Sequence, residues 1–224
     1  MNYKIQNFSI LTVLLGSITN GFTKEDGKPY VVASASLPMG EGKPAMPVKV
    51  VLLGELANGT LVKEGNTLTF LGRLLYDQKK DGQGTLVLRP YQIQEQVDQP
   101  RNFVKLTLRA GTEPEARYSD GGTYWAKLRA ALGQGKDSEG NWKPSAWFTV
   151  KGFTHAGDES IPQALSALRK GVLFTVSGRL GYERSQDGQK EYYSLYTTKV
   201  ESFSEEAAEA EPLAEANVDQ EPIF

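Results

Sequence analysis

The stretches "LTFLGRLLYDQKKDGQGTLVL" (68–88) and "FTVSGRLGYERSQDGQKEYYSL" (174–195) are two copies of one pattern. Both contain Gly-Arg-Leu-x-Tyr-x4-Asp-Gly-Gln, so seven identities, Gly72/Gly178 through Gln83/Gln189, recur at a constant offset of 106. Shorter echoes precede them: "NF" at 7–8 and 102–103, and "DGKPY" at 26–30 against "DGGTY" at 120–124. Self-similarity at a fixed spacing marks a duplicated structural unit. The chain of 224 residues therefore reads as a tandem duplication, with units at 1–97 and 98–203 and a tail from 204 to 224.

Within each unit, β-branched and aromatic runs are separated by turn residues, which predicts strands. Phe8–Leu15, Tyr30–Ser36, Val48–Leu53, Thr67–Leu75 and Thr85–Ile93 are matched by Phe103–Ala110, Thr123–Ala131, Ala146–Lys151, Val172–Arg179 and Tyr192–Val200. The Asp-Gly pairs at 81–82 and 187–188 predict hairpins, since glycine supplies the positive φ of such turns. Before the fourth strand of the second unit, "ESIPQALSALRKG" (159–171) predicts a helix, with Ser160 as N-cap, Ile161, Leu165 and Leu168 on one face, and Gly171 at the left-handed C-terminal position. The corresponding "GELANGTLVKEG" (54–65) has room for a turn or two. Five strands with a helix before the fourth is the order of an OB-fold, so the expected fold is mainly β, two tandem five-stranded Greek-key barrels.

Composition bounds the chemistry. No cysteine is present, which excludes a disulfide framework, a thiolate metal site and a cysteine nucleophile. The one histidine, His155, reads as a loop residue and cannot by itself supply the ligands of a zinc site. No phosphate-binding glycine loop is satisfied: "GQGKDSEG" (133–140) lacks the required spacing and reads as a connecting loop. The pairs Glu25/Asp26 and Asp158/Glu159 adjoin glycines in loops, and no catalytic constellation is seen. The expectation is a protein that is not an enzyme and holds no metal or cofactor. The opening "MNYKIQNFSILTVLLGSITN" reads as a first strand instead of a secretory signal, and no run reaches the ~20 apolar residues of a membrane span.

Charge is unevenly distributed. From Glu205 on there are seven carboxylates and no Lys or Arg, which predicts a disordered segment. The remainder carries 25 basic against 20 acidic residues, a net of +5 beneath the overall −2. Along the strands, aromatic and basic residues alternate. Trp125, Lys127 and Arg129 share one face; Trp142 follows in a loop; Trp147 lies on the third strand with Lys151 and Phe153. Arg179, Tyr182 and Arg184 lie on the long hairpin, with Arg73 and Tyr76 in the other copy. Rings that stack on any base and cations that follow a phosphate backbone are what sequence-tolerant binding of single strands requires. Barrel cores also need aromatic residues, so some of these rings are expected to point inward. Tyr76 and Tyr182 have two readings, a base platform or a brace for the hairpin.

The second unit resembles the bacterial single-stranded DNA-binding protein family. The resemblance rests on "EPEARYSDGGTYWAKLRAAL" (113–132) with its Pro114, Glu115, Arg117 and Tyr118, on "AWFTVKGF" (146–153), on "ALRKGVLFTVSGRL" (167–180), and on the acidic terminus "DQEPIF", which exchanges the family's usual order of Ile and Pro. The first unit lacks the Pro-Glu-x-Arg-Tyr motif and tryptophan, and is tied in through the repeat. The resemblance implies single-stranded DNA as ligand, with Trp125 and Trp147 as stacking platforms, Arg129, Lys151, Arg179 and Arg184 on phosphates, and Tyr182 and Tyr76 on hairpins facing DNA. It implies a homodimer bringing four barrels together, and a cytoplasmic, nucleoid-associated protein. It also implies a terminal peptide, Asp219, Glu221, Pro222, Ile223 and Phe224, that docks on replication and repair proteins. The reading from a different class is an OB-fold protein-interaction adaptor without nucleic-acid binding.

Overall fold

The computed structural model describes residues 5–23, 27–78, 84–94, 99–185 and 190–202. The Asp-Gly pairs expected at the hairpin tips and the whole acidic tail, with its proposed docking peptide, lie outside the described residues. Two compact units are present, one spanning Gln6–Lys105 and the other beginning at Leu106.

The first unit contains strands β1 (Asn7–Phe22), β2 (Pro29–Leu37), β3 (Met46–Leu53), β4 (Thr67–Gln78) and β5 (Gly84–Gln94). β1 pairs antiparallel with β2 and β4, β2 with β3, and β4 with β5. A parallel β3–β5 pair closes the ring into a Greek-key barrel. Strand alternation turns every second side chain inward, so Leu11, Val50, Phe70, Leu74 and Leu86 are fully buried. The short helical piece is a 3-10 turn over Gly54–Asn58, the turn or two expected.

The second unit repeats the plan with β6 (Asn102–Ala110), β7 (Glu115–Tyr118), β8 (Tyr124–Leu132), β9 (Ala146–Phe153), helix α1 (Ser160–Ser166), β10 (Leu173–Arg184) and β11 (Glu191–Ser202). The order β6-β10-β11-β9-β8-β7, with a further β6–β8 pairing and a parallel β11–β9 pair, closes it likewise. β7 is not foreseen in the sequence. Its counterpart in the first unit is the far half of the 16-residue β1, which bends through a register shift between Leu15 and Ile18. In the second unit the same bend interrupts the strand at Gly111–Pro114, where proline has no N–H for the ladder.

The repeated motif has a packing cause. The register shifts between Leu71 and Gly72 and between Ser177 and Gly178 are bulges at equivalent places. There a Cβ on Gly72 would fall 2.5 Å from the Arg89 carbonyl oxygen, and one on Gly178 2.1 Å from that of Tyr196. Only glycine permits that approach. Each barrel also contains one buried threonine pair joining its first and fourth strands, Thr12–Thr69 at 2.6 Å and Thr107–Thr175 at 2.8 Å.

Helix α1 differs from expectation at its start. Ser160 is the first helical residue and not the N-cap; the Asp158 carboxylate accepts its backbone N–H at 2.8 Å, which holds the Asp158 carboxyl below its usual range. Asp158 therefore has a structural partner that the sequence reading did not see. Leu165 is buried on the helix, but α1 ends at Ser166 with Ala167 as its C-cap, so Leu168 is buried beyond the helix and Gly171, expected at its C-terminal position, takes the left-handed conformation at φ 90° in the turn that follows. His155 forms a two-way backbone pairing with Asp158 in the turn before the helix, a loop position as read.

Candidate nucleic-acid interface

On β8 the inward residues are Ala126, Leu128 and Ala130, which leaves Trp125, Lys127 and Arg129 on the outer face, half-buried. On β9 Phe148 and Val150 enter the core, so Trp147, Thr149, Lys151 and Phe153 face outward. Register brings these rows together: Trp125 opposite Phe153, Lys127 opposite Lys151, Arg129 opposite Thr149. The row continues across the sheet, because Lys151 is opposite Tyr196 on β11 and Tyr196 is opposite Arg179 on β10. On the other side β7 places Arg117 opposite Trp125 and Glu115 opposite Lys127.

Three of the outward rings, Trp125, Trp147 and Tyr196, have a cation against them. The Arg117 guanidinium lies 4.8 Å from the centre of Trp125, with the Lys127 ammonium at 5.9 Å. Arg129 lies 5.4 Å from Trp147, whose ring rests on Gly111: a Cβ there would be 2.4 Å from Cζ3. Tyr196 has Arg179 at 5.1 Å and Lys151 at 5.7 Å, and Phe153 stacks on it at 6.3 Å and 25°. In the 133–145 loop, Trp142 pairs across a short bridge with Lys136, whose ammonium is 5.0 Å from the indole. Cation–π contacts at exposed sites contribute about 0.5–1 kcal/mol each, enough to hold a long side chain over a ring without fixing it there.

Three of the cations also meet carboxylates, the first being Arg117 at 3.7 Å from Glu115. Lys127 is 3.3 Å from Glu115, and Lys151 is 3.0 Å from Glu183. Such surface pairs contribute roughly 0–1 kcal/mol, so a phosphate can take over the ammonium at little cost.

The structure corrects two expected placements, those of Tyr182 and Arg184. Tyr182 does not lie on this face: it is 5 % exposed and packs in the interior against Tyr193, which itself adjoins Phe148. Arg179 and Tyr182 are three residues apart, and an odd separation along a strand puts two side chains on opposite faces. The Tyr182 hydroxyl donates to Glu191 Oε1 at 2.7 Å and accepts from Arg184 Nε at 2.6 Å. Arg184 also pairs with Glu191 at 3.4 Å, so both residues tie the base of the β10–β11 hairpin together. Burial first, then the Glu191 hydrogen bond, pushes the Tyr182 phenol above its usual range. Tyr76, the other copy's equivalent, lies with its ring across Gly84 on the facing strand.

The sequence reading passed over Tyr196 and Arg117 as site residues. Arg117 was visible only as part of a motif, and its place over Trp125 depends on β7, a strand of four residues. Tyr196 has no aromatic counterpart in the first copy, so the repeat did not mark it.

The equivalent face of the first barrel is different in kind. Matching registers put Tyr30, Val32 and Ser34 where the second barrel has Trp125, Lys127 and Arg129, and Leu53, Val51 and Lys49 where it has Phe153, Lys151 and Thr149. Arg73 faces Arg89, where Arg179 faces Tyr196. Lys49 is in an ion pair with Asp77. The frame is the same, but the alternation of rings and cations is confined to the second copy.

Among the described residues no cluster of three or more His, Cys, Asp or Glu is placed to hold a metal ion, and no helix is long and apolar enough to cross a membrane. The class defined by the fold is that of proteins with two OB-folds in tandem. The chain is similar over its whole length to the wild-type single-stranded DNA binding protein from Thermus aquaticus, at 19 % identity and a TM-score of 0.58, covering 97 % of this chain and 98 % of that one. A deletion and substitution variant of the same Thermus aquaticus protein matches with the same coverage at 21 % identity and a TM-score of 0.57. No protein-family model and no curated protein matches the sequence.

Proposed function

We propose that the outer face of the second barrel binds single-stranded DNA without sequence preference. The observation that carries this reading is the row of outward rings, Trp125, Trp147, Phe153 and Tyr196, interleaved with Arg117, Lys127, Arg129, Lys151 and Arg179. An unpaired base offers a free π-face to such rings, at about 1–3 kcal/mol per stacked base, while its phosphate replaces a carboxylate or a ring beside a cation. Duplex DNA keeps its base faces stacked and is expected to bind poorly. Affinity then combines stacking with counterion release and falls with salt, the logarithmic slope changing by about 0.7 for each phosphate contact. The two-barrel frame shared with a protein described as single-stranded DNA binding supports the same ligand.

Several finer features belong to this proposal. Trp142 and Lys136 lie on the loop bordering the face and extend it. Arg73 and Tyr76 mark the weaker, first-barrel contribution. Two chains would unite four barrels in a homodimer. The protein acts in the cytoplasm, at the nucleoid, without catalysis, coating single strands during replication, recombination and repair. The terminal Asp219, Glu221, Pro222, Ile223 and Phe224 recruit partner proteins: the aromatic ring enters an apolar pocket, the α-carboxylate meets a basic side chain, and the neighbouring acids steer the encounter.

The test is a titration with oligo-dT and with duplex of equal length, at low and moderate salt, following tryptophan fluorescence. All three tryptophans belong to the second unit. Quenching by oligo-dT that weakens with salt, and little response to duplex, is expected. No response by fluorescence or gel shift to either DNA would overturn the reading and favour the interaction adaptor.

A further inference from the structure

We infer that Tyr196 is a base-stacking platform of the second barrel, made possible by Gly181. This rests on the proposed function and deepens it, giving a stated stacking role and a structural cause to a residue that neither the repeat nor the family resemblance marks.

The argument begins under the ring. Gly181 is buried on β10, opposite Ser194 and two residues from Arg179. A Cβ added to it would lie 2.4 Å from Cε2 and 3.1 Å from Cδ2 of Tyr196, so the ring lies across bare backbone. The first copy has Leu75 at this place in the repeat, and Arg89 at the register position of Tyr196. The glycine floor and the tyrosine upon it therefore occur together in one barrel and are both missing from the other.

The surroundings match what a stacked nucleotide needs. Phe153 continues the aromatic surface at 6.3 Å and nearly parallel, and Phe153 is itself opposite Trp125 on β8. Rings on β8, β9 and β11 thus adjoin, strand by strand, across the outer face. Arg179 and Lys151 flank the Tyr196 ring from the two neighbouring strands, within reach of the phosphates on either side of a base placed there. Phe148 and Tyr193 fill the core beneath, so Tyr196 is not needed inside the barrel.

The test compares wild type, Tyr196→Ala and Tyr196→Phe for binding of fluorescent oligo-dT by anisotropy over a salt series. Loss of one stacking platform is expected to raise Kd about 5- to 150-fold in the alanine variant, and the phenylalanine variant should stay within about twofold of wild type. The salt slope should be unchanged by Tyr196→Ala, because no phosphate contact is removed, whereas Arg179→Ala should lower it by about 0.7. Wild-type affinity in a folded Tyr196→Ala variant would overturn the inference and leave the proposed function standing. Failure of the wild type to bind oligo-dT would remove both. Should the alanine variant lose its fold, ultraviolet cross-linking of wild-type protein to oligo-dT decides. An adduct on Tyr196 is expected within the tryptic peptide 191–199, and adducts on Trp125 or Trp147 without one on Tyr196 would overturn the inference.

Discussion

The Tyr182 hydroxyl, held between Glu191 and Arg184, makes a side chain that reads as a DNA contact into a brace for its hairpin. Tyr182→Phe removes those two hydrogen bonds but keeps the packed ring. It is expected to lower stability by roughly 0.5–1.5 kcal/mol in urea unfolding and to leave oligo-dT affinity within about twofold. A large loss of affinity at unchanged stability would return Tyr182 to the binding face. Gly178 gives a second case. With no room between its Cα and the Tyr196 carbonyl, Gly178→Ala must open the bulge, and a loss of about 1–3 kcal/mol is expected by the same measurement. Counting residues from Gly178 along β10 would have placed Tyr182 inside, because side-chain direction alternates strictly beyond the bulge. Tyr196 could not be placed in this way. Six residues lie between the paired Arg184 and Glu191 but five between the paired Gln78 and Gly84, so Tyr196 faces Arg179 where Arg89 faces Arg73, and the constant offset of 106 points to Pro90 instead.

At the level of elements, all ten expected strands are present, because each is a run of apolar alternation long enough to bury one face. β7 is not marked in the sequence since its four residues are all exposed and are held by pairing with β8 and by the contacts of Glu115, Arg117 and Tyr118. The start of α1 differs from the sequence expectation by one residue, Glu159 and not Ser160 being the N-cap, for a related reason: Asp158 and Ser160 are both good capping types, and only the backbone decides which one reaches a free N–H. That geometry has a pH consequence. The folded-state pKa of Asp158 is depressed, so its contribution is present above the unfolded value and is lost as pH falls through the folded one. Urea midpoints should therefore decline on acidification below the ordinary carboxylate range, and Asp158→Asn should flatten part of that decline. An unchanged acid limb in the variant would show that the hydrogen bond from the Ser160 N–H to Asp158 contributes nothing.

For the molecule as a whole, duplication has produced two barrels of one design with different exteriors. The ring-and-cation face of the second predicts an unequal response: Arg129→Ala should reduce the salt slope of oligo-dT binding by about 0.7, and Arg73→Ala should leave it nearly unchanged. Equal reductions would mean that both barrels grip the strand alike. The tail adds an electrostatic prediction, since seven carboxylates follow a body of net +5. Removal of 205–224 should tighten oligo-dT binding at low salt and make little difference at high salt, where screening shortens the reach of the charges; no change at low salt would exclude competition by the tail. The alternation on β8 and β9 carries a further consequence for how such a protein can vary. Leu128, Phe148 and Val150 answer to the core, while Trp125, Arg129, Trp147 and Lys151 answer to the ligand, and one strand carries both sets. Affinity and thermal tolerance should therefore form two nearly independent axes in a mutational survey, and selection can adjust one without disturbing the other. Gly181 is the expected exception, a residue where the scaffold and the ligand surface are the same few atoms.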